Sequence, residues 1–125
     1  RLEMGTKLSF DSNKNLYDFW RKKITEKLNN ELIDNEPLIN LASNEYFKAI
    51  DTKVIKSDIY SVNFKQFKNG SYKTIAIFSK KARGMMTRFI INNQIDDING
   101  LKLFDYDDYS YHESLSNDKE LVFTR

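Results

Sequence analysis

The sequence predicts a mixed α/β (α+β) fold, with short central strands and a long β-hairpin packed by an N-terminal amphipathic helix and a second, basic helix. Three patterns carry this expectation. Leu16, Trp20, Ile24, Leu28 and Leu32 recur every four residues, the spacing of a helix with one apolar face. Tyr60, Val62 and Phe64 alternate with polar residues and lead to Asn69-Gly70, a pair suited to the two positive φ values of a tight hairpin turn. After the hairpin, residues 80–91 sort at about 100° per residue into an apolar arc and a basic arc.

Taken in order, residues 1–10 have no deciding periodicity. Asn15 is the predicted N-cap of the first helix, and Asp18 adds a negative charge near its positive end. Asp18 and Lys22 are spaced for an i, i+4 ion pair, and Trp20 is expected as a core anchor. Pro37 ends this region, and residues 37–41 read as a short buried strand. Residues 40–50 then form a strand, a turn capped by Ser43, and a short helix. Such a turn aims free backbone N–H groups at whatever precedes it. Asn40, Ser43 and Asn44 add side-chain donors and Lys48 a positive charge one turn later, which makes this a candidate anion-binding turn. Ordinary capping explains Ser43 equally well.

The second hairpin strand is expected over residues 72–79, with a bulge at Phe67 and with Ser79 as N-cap of the basic helix. In that helix Ala82, Met85, Met86, Phe89 and Ile90 face a core. Lys80, Lys81, Arg83, Thr87 and Arg88 face away, with no acid among them. Gly84 shares the i, i+4, i+8 line with Lys80 and Arg88. An interior helical glycine costs about 1 kcal/mol relative to alanine. Its missing side chain admits a phosphate, a base or another backbone. Lys80, Lys81, Arg83, Gly84 and Arg88 are therefore the candidate nucleic-acid-binding residues; the alternative is a solvated face with a glycine needed for packing. Further on, Asp96 or Asp97 is placed to cap a short helix carrying Ile98, Leu101 and Phe104. Residues 105–112 and 120–124 are expected to close the chain as a hairpin.

At 125 residues the chain has the length of one domain, and residues 1–125 are read as one. No apolar run approaches the roughly 20 residues of a membrane span, so no membrane partner is expected. Cysteine is absent, which excludes disulfides, thiolate catalysis and Cys-ligated metals. His112 is the only histidine. Asp105, Asp107 and Asp108 lack the glycine and terminal glutamate of a calcium loop. No metal or cofactor is expected. Glu3 and Glu45 are the carboxylates placed for acid–base work, with structural hydrogen bonding as the simpler role. The formal charge of +2 conceals an asymmetry: eight acids stand against three bases from Gln94 onward, a balance of −5, and the remainder carries +7. A basic body with an acidic final segment suits a bounded polyanion-binding face; solvation of the closing hairpin is the plainer account.

Six blocks then occur in a telling order. They are Arg-Leu-Glu-Met-Gly-Thr-Lys-Leu (1–8), Leu-Tyr-Asp-Phe-Trp (16–20), Asn-Leu-Ala-Ser-Asn-Glu-Tyr-Phe-Lys (40–48), Phe-Lys-Asn-Gly (67–70), Lys-Lys-Ala-Arg-Gly-Met-Met (80–86) and Glu-Leu-Val-Phe (120–123). In this order they resemble the YaaA-type peroxide stress proteins over the whole chain. The resemblance implies a cytoplasmic bacterial protein of mixed α/β fold, linked to DNA binding and to surviving peroxide by limiting iron-driven damage. It implies too that these residues are the C-terminal half of a longer protein, whose N-terminal half packs against them and carries a helix-hairpin-helix element credited with DNA binding. It supplies no catalytic residues.

The leading functional expectation is thus a protein that binds double-stranded DNA in the oxidative stress response. The alternative is an enzyme acting on a nucleobase or nucleoside in a cleft, using Glu45 or Glu3. A scaffold whose basic face meets an acidic protein is a third reading.

Overall fold

Asn15 opens the first helix as expected: its side-chain oxygen accepts from the Asp18 N–H at 3.0 Å, and α1 runs Leu16–Glu31. The face that α1 buries differs from the expected stripe. Tyr17 and Thr25 are buried, whereas Trp20 is 43% exposed and Ile24 is exposed too, so Trp20 is not a core anchor. The reason is polar. Arg21 donates from Nε and Nη2 to the Lys48 carbonyl at 3.1 and 3.0 Å. Thr25 Oγ1 accepts from the Asp51 N–H at 2.9 Å. Asn29 donates to the Val54 carbonyl at 2.8 Å and accepts from the Lys56 N–H at 3.0 Å. Residues 21, 25 and 29 lie one above another on the helix, and together they satisfy the main chain of a segment without regular structure. An apolar stripe offers no such partners. The expected Asp18–Lys22 pair is also replaced: Asp18 meets Arg21, and Lys22 meets Glu26.

The computed structural model describes Ser9 and residues 12–125. Its described residues divide into two compact units, one comprising those up to Leu38 with 42–59, the other comprising 39–41 with 60–125. The fold is mixed α/β, as the sequence predicts. After α1 come β1 (Leu38–Asn40), α2 (Asn44–Phe47), β2 (Ile59–Lys68), β3 (Ser71–Lys73), α3 (Ala76–Asn93), α4 (Ile98–Leu101), β4 (Ser110–Tyr111) and β5 (Glu120–Thr124). The sheet order is β1-β2-β5-β4, with β3 paired to β2.

The hairpin turn is the expected one, with φ of 52° at Asn69 and 79° at Gly70. The second strand is shorter than expected, because β3 stops at Lys73 opposite Gln66. On one side β2 is taken by β5, paired in parallel from Ser61–Glu120 to Lys65–Thr124; on the other it meets β1. Residues 76–79 belong instead to the helix that buries Ala82, Met86 and Phe89, and Ser79 is buried with them. No bulge forms at Phe67, which pairs directly with Tyr72 and packs its ring 5.2 Å from it. Phe67 simply points away from the face that buries Phe64, and it stays 60% exposed.

With the strand cut short, α3 starts three residues before Ser79. Ser79 is not its N-cap; Ile75 holds that position and makes no side-chain cap. Ser79 is instead buried, and its Oγ donates to the Phe64 carbonyl at 3.0 Å, tying α3 to β2. The apolar arc of α3 packs as expected. Ala82, Met86 and Phe89 join Val62, Phe64, Leu101, Phe104, Tyr109, Leu121 and Phe123 in one core, with Met85 and Ile90 against its edge. The Phe64 ring lies 5.8, 5.3 and 5.7 Å from those of Phe104, Tyr109 and Phe123. Side chains of this size contribute about 1.5–3 kcal/mol each when fully buried. Asp97 caps α4, accepting from the Gly100 N–H at 2.6 Å. The closing hairpin forms with Ser110 opposite Thr124 and Tyr111 opposite Phe123. Among the described residues no helix is long and apolar enough to cross a membrane.

The position of Ser79 is testable. Aspartate is as good an N-cap as serine, so Ser79→Asp would be tolerated at a helix start. Buried beside the Phe64 carbonyl, it brings an unpaired charge into the core, and urea unfolding should show a loss of about 3 kcal/mol or more. A variant as stable as the parent contradicts the buried placement.

Candidate functional site

Because Ala82, Met86 and Phe89 are held in the core, the opposite arc of α3 is turned to solvent. Lys80, Lys81, Gly84 and Arg88 are exposed there and Arg83 is half-buried at the flank. Lys81 reaches the Asp107 carboxylate at 3.4 Å, which Arg125 also engages. Lys80 and Arg88 have no acidic partner among the described residues. Arg83 Nε is buried with no hydrogen-bond partner, and burial lowers the pKa of its guanidinium. Thr87 is satisfied locally, donating from Oγ1 to the Arg83 carbonyl at 3.0 Å. The structure therefore gathers all five candidate residues on one helix of one unit.

A second basic element adjoins this set. From Ile59 to Ile95 the chain contains no aspartate or glutamate, yet it holds Lys65, Lys68, Lys73, Lys80, Lys81, Arg83 and Arg88. The β2–β3–α3 segment thus carries seven cations and no acid. Lys68 and Lys73 are exposed on the hairpin with no acidic partner among the described residues, beside the exposed rings of Phe67 and Tyr72. Reading the helix alone missed these lysines. The acid-free run from β2 onward is the signal that marks them.

The candidate anion turn is built differently from the bare turn the sequence suggested. Ser43 is the N-cap of α2, its Oγ accepting from the Tyr46 N–H at 3.3 Å. Lys48 Nζ is 2.9 Å from Glu45 Oε2, so its charge is already matched. Asn44 is exposed. Asn40 belongs to the sheet unit, where it is buried and donates to Ser61 Oγ at 3.1 Å. The Tyr17 hydroxyl also favours the ionised Glu45 carboxyl. The Lys48 hydrogen bond holds the Glu45 carboxyl below the usual range, although desolvation opposes it. Desolvation by burial, together with Glu45, raises the pKa of Tyr17. A general acid needs the reverse shift at its carboxyl. Glu3 lies outside the described residues. His112 accepts or donates at Nδ1 with Ser114 Oγ, 3.2 Å away. Among the described residues no group of three or more His, Cys, Asp or Glu side chains gathers as a metal site.

The Glu45 shift predicts a pH effect. A carboxyl whose folded pKa is depressed adds stability that is complete above its ordinary value of 4.5 and is lost as pH falls through the folded value. Glu45→Gln should therefore flatten the acid limb of a stability–pH profile measured by urea unfolding. Parallel limbs for variant and parent would contradict the Tyr17–Glu45–Lys48 arrangement.

Comparison with known proteins gives the family. A family model described as peroxide stress protein YaaA matches residues 1–115. A UPF0246 protein of Flavobacterium psychrophilum is 52% identical over 125 residues, which are 100% of this chain and 50% of the relative. UPF0246 proteins of Idiomarina loihiensis and Aliivibrio fischeri are 50% and 53% identical over 127 residues, covering 100% of this chain and 49% of each relative. The chain thus spans about half the length of the curated relatives it matches. With nearly all its length matched, the chain belongs to the peroxide stress protein YaaA family.

Proposed function

We propose that this chain serves the bacterial peroxide stress response by binding the backbone of double-stranded DNA in the cytoplasm, through the β2–β3–α3 surface. The observation that carries this reading is charge segregation. Seven cations follow one another along β2, β3 and α3 with no acid, and Lys68, Lys73, Lys80 and Arg88 are exposed without an acidic partner among the described residues. Surface cations on an ordinary soluble face are interleaved with acids, as Lys22 and Lys27 on α1 are with Glu26 and Glu31. Cations that follow one another without interleaved acids instead match a polyanion.

Phosphate neutralisation also gives a physical route to limiting iron-driven damage. Each phosphate that a lysine or arginine neutralises releases condensed counterions. Ferrous ion is one such counterion: it reduces peroxide to hydroxide and hydroxyl radical while it is oxidised to ferric ion. Displacing it moves radical formation away from the sugar–phosphate chain. The remainder of a family-length protein is proposed to pack on this chain and to add to the same binding.

The test is the dependence of DNA affinity on salt in the natural full-length protein. Each phosphate contact adds about 0.9 to the slope of log affinity against log salt. Replacing Lys80, Lys81, Arg83 and Arg88 by alanine should lower that slope by roughly 2 to 3, similarly for different DNA sequences. Replacing the paired Lys22 and Lys27 should leave it unchanged. An unaltered slope in the α3 variant would remove this surface from DNA binding, and equal affinity for heparin and DNA would favour a generic polyanion or an acidic protein.

A further inference from the structure

Charge alone leaves one residue of this surface unexplained. Gly84 lies at the middle of the exposed face of α3, with Lys80 and Arg88 one turn away on either side, about 6 Å along the axis. A Cβ built at Gly84 meets no atom within 4 Å, and the backbone there does not have a positive φ. Neither packing within the described chain nor backbone geometry calls for glycine, although it weakens an exposed helix interior by about 1 kcal/mol relative to alanine. Gly100 makes the contrast clear: a Cβ there would lie 2.9 Å from an Ile95 side-chain carbon.

Two further features converge on the same spot. The guanidinium of Arg83, the preceding residue, keeps its Nε buried and unpartnered, a cation lacking the acceptor its geometry is built to hold. Ile77 and Ile91, seven residues to either side of Gly84, return to its face by helical spacing and are 72% and 68% exposed. A purely solvated basic face has no use for them. A nucleic-acid strand presents both phosphates and apolar sugar faces, and it suits a surface whose two cations are flanked by isoleucines.

We infer that Gly84 is the seat of one DNA backbone phosphate, drawn against the α3 backbone between Lys80 and Arg88, with the Arg83 guanidinium at its flank and Ile77 and Ile91 against sugars further along the strand. This rests on the reading of the surface as a DNA-backbone site and adds a steric requirement to it. The glycine sets how closely the strand approaches, and the cations act at short range because of it. The side chain that is absent thus admits a phosphodiester strand lying on the helix.

The test separates stability from binding. In the natural full-length protein, Gly84→Ala and Gly84→Leu change no charge and should leave the melting temperature equal or higher. DNA affinity at fixed low salt should nevertheless fall by roughly tenfold for alanine, the scale of one lost charge-assisted contact, and further for leucine. Unchanged affinity in both variants overturns the seat. If the cation-to-alanine variant flattens the salt slope while both Gly84 variants bind normally, DNA binding by this surface stands and the seat falls. If neither set alters binding, both fall. A lower melting temperature for Gly84→Ala would show the glycine packed against protein in the whole molecule, which also overturns the seat.

Discussion

The packing of α3 on β2 and β5 fixes the rest of the second unit. Ala82, Met86 and Phe89 can reach Val62, Phe64, Leu121 and Phe123 only if the helix presents one face inward, and the Ser79–Phe64 hydrogen bond pins its start to the strand. That constraint decides where every other side chain of α3 goes. Rotating the helix by one residue would bring Lys81 or Arg83 toward the core, at the desolvation cost of a buried cation. The apolar contacts and the avoidance of that cost therefore act together, and the cations are displayed because the core holds the opposite face.

Charge follows the same partition. Residues 1–58 hold ten bases and ten acids, residues 59–95 hold seven bases and no acid, and the remainder is acidic. On α1 and in the segment that follows it, charges are matched locally: Arg21 with Asp18, Lys22 with Glu26, Lys27 with Glu31, Lys48 with Glu45. The acidic segment reaches α3 through Asp107, which takes both Lys81 and Arg125 while its own φ is 58°. Aspartate tolerates this left-handed backbone better than most residues. One carboxylate thus orients the margin of the basic face without neutralising its centre at Lys80, Gly84 and Arg88.

Local chemistry made much of this legible in the sequence. The caps at Asn15, Ser43 and Asp97 and the turn at Asn69-Gly70 are determined by residues within a few positions of one another, and all four are present. The inward arc of α3 was legible because its period is strong. What failed depends on distant partners. The parallel pairing of β2 with β5 joins residues nearly sixty apart, and residues that look like a strand are the start of α3, where Ser79 is a core residue bonded to the Phe64 carbonyl of β2. On α1 an apolar count favoured Trp20, whereas the helix turns Tyr17, Arg21, Thr25 and Asn29 toward a segment whose backbone needs hydrogen bonds. Apolar periodicity is blind to a face that earns its burial through polar partners. In the candidate site, the helix cations were visible and the hairpin lysines were not, since only the absence of acids over the whole run marks them.

The proposed DNA-backbone surface joins the core-determined outer face of α3 to the adjoining hairpin. Its most direct measurement is a backbone-amide NMR titration of the natural full-length protein with a short DNA duplex at low salt. Shift changes are expected to concentrate on residues 65–73 and 77–91, to centre on Gly84, and to reverse on raising the salt. Changes confined to other parts of the protein, with these amides unmoved at saturation, would contradict it.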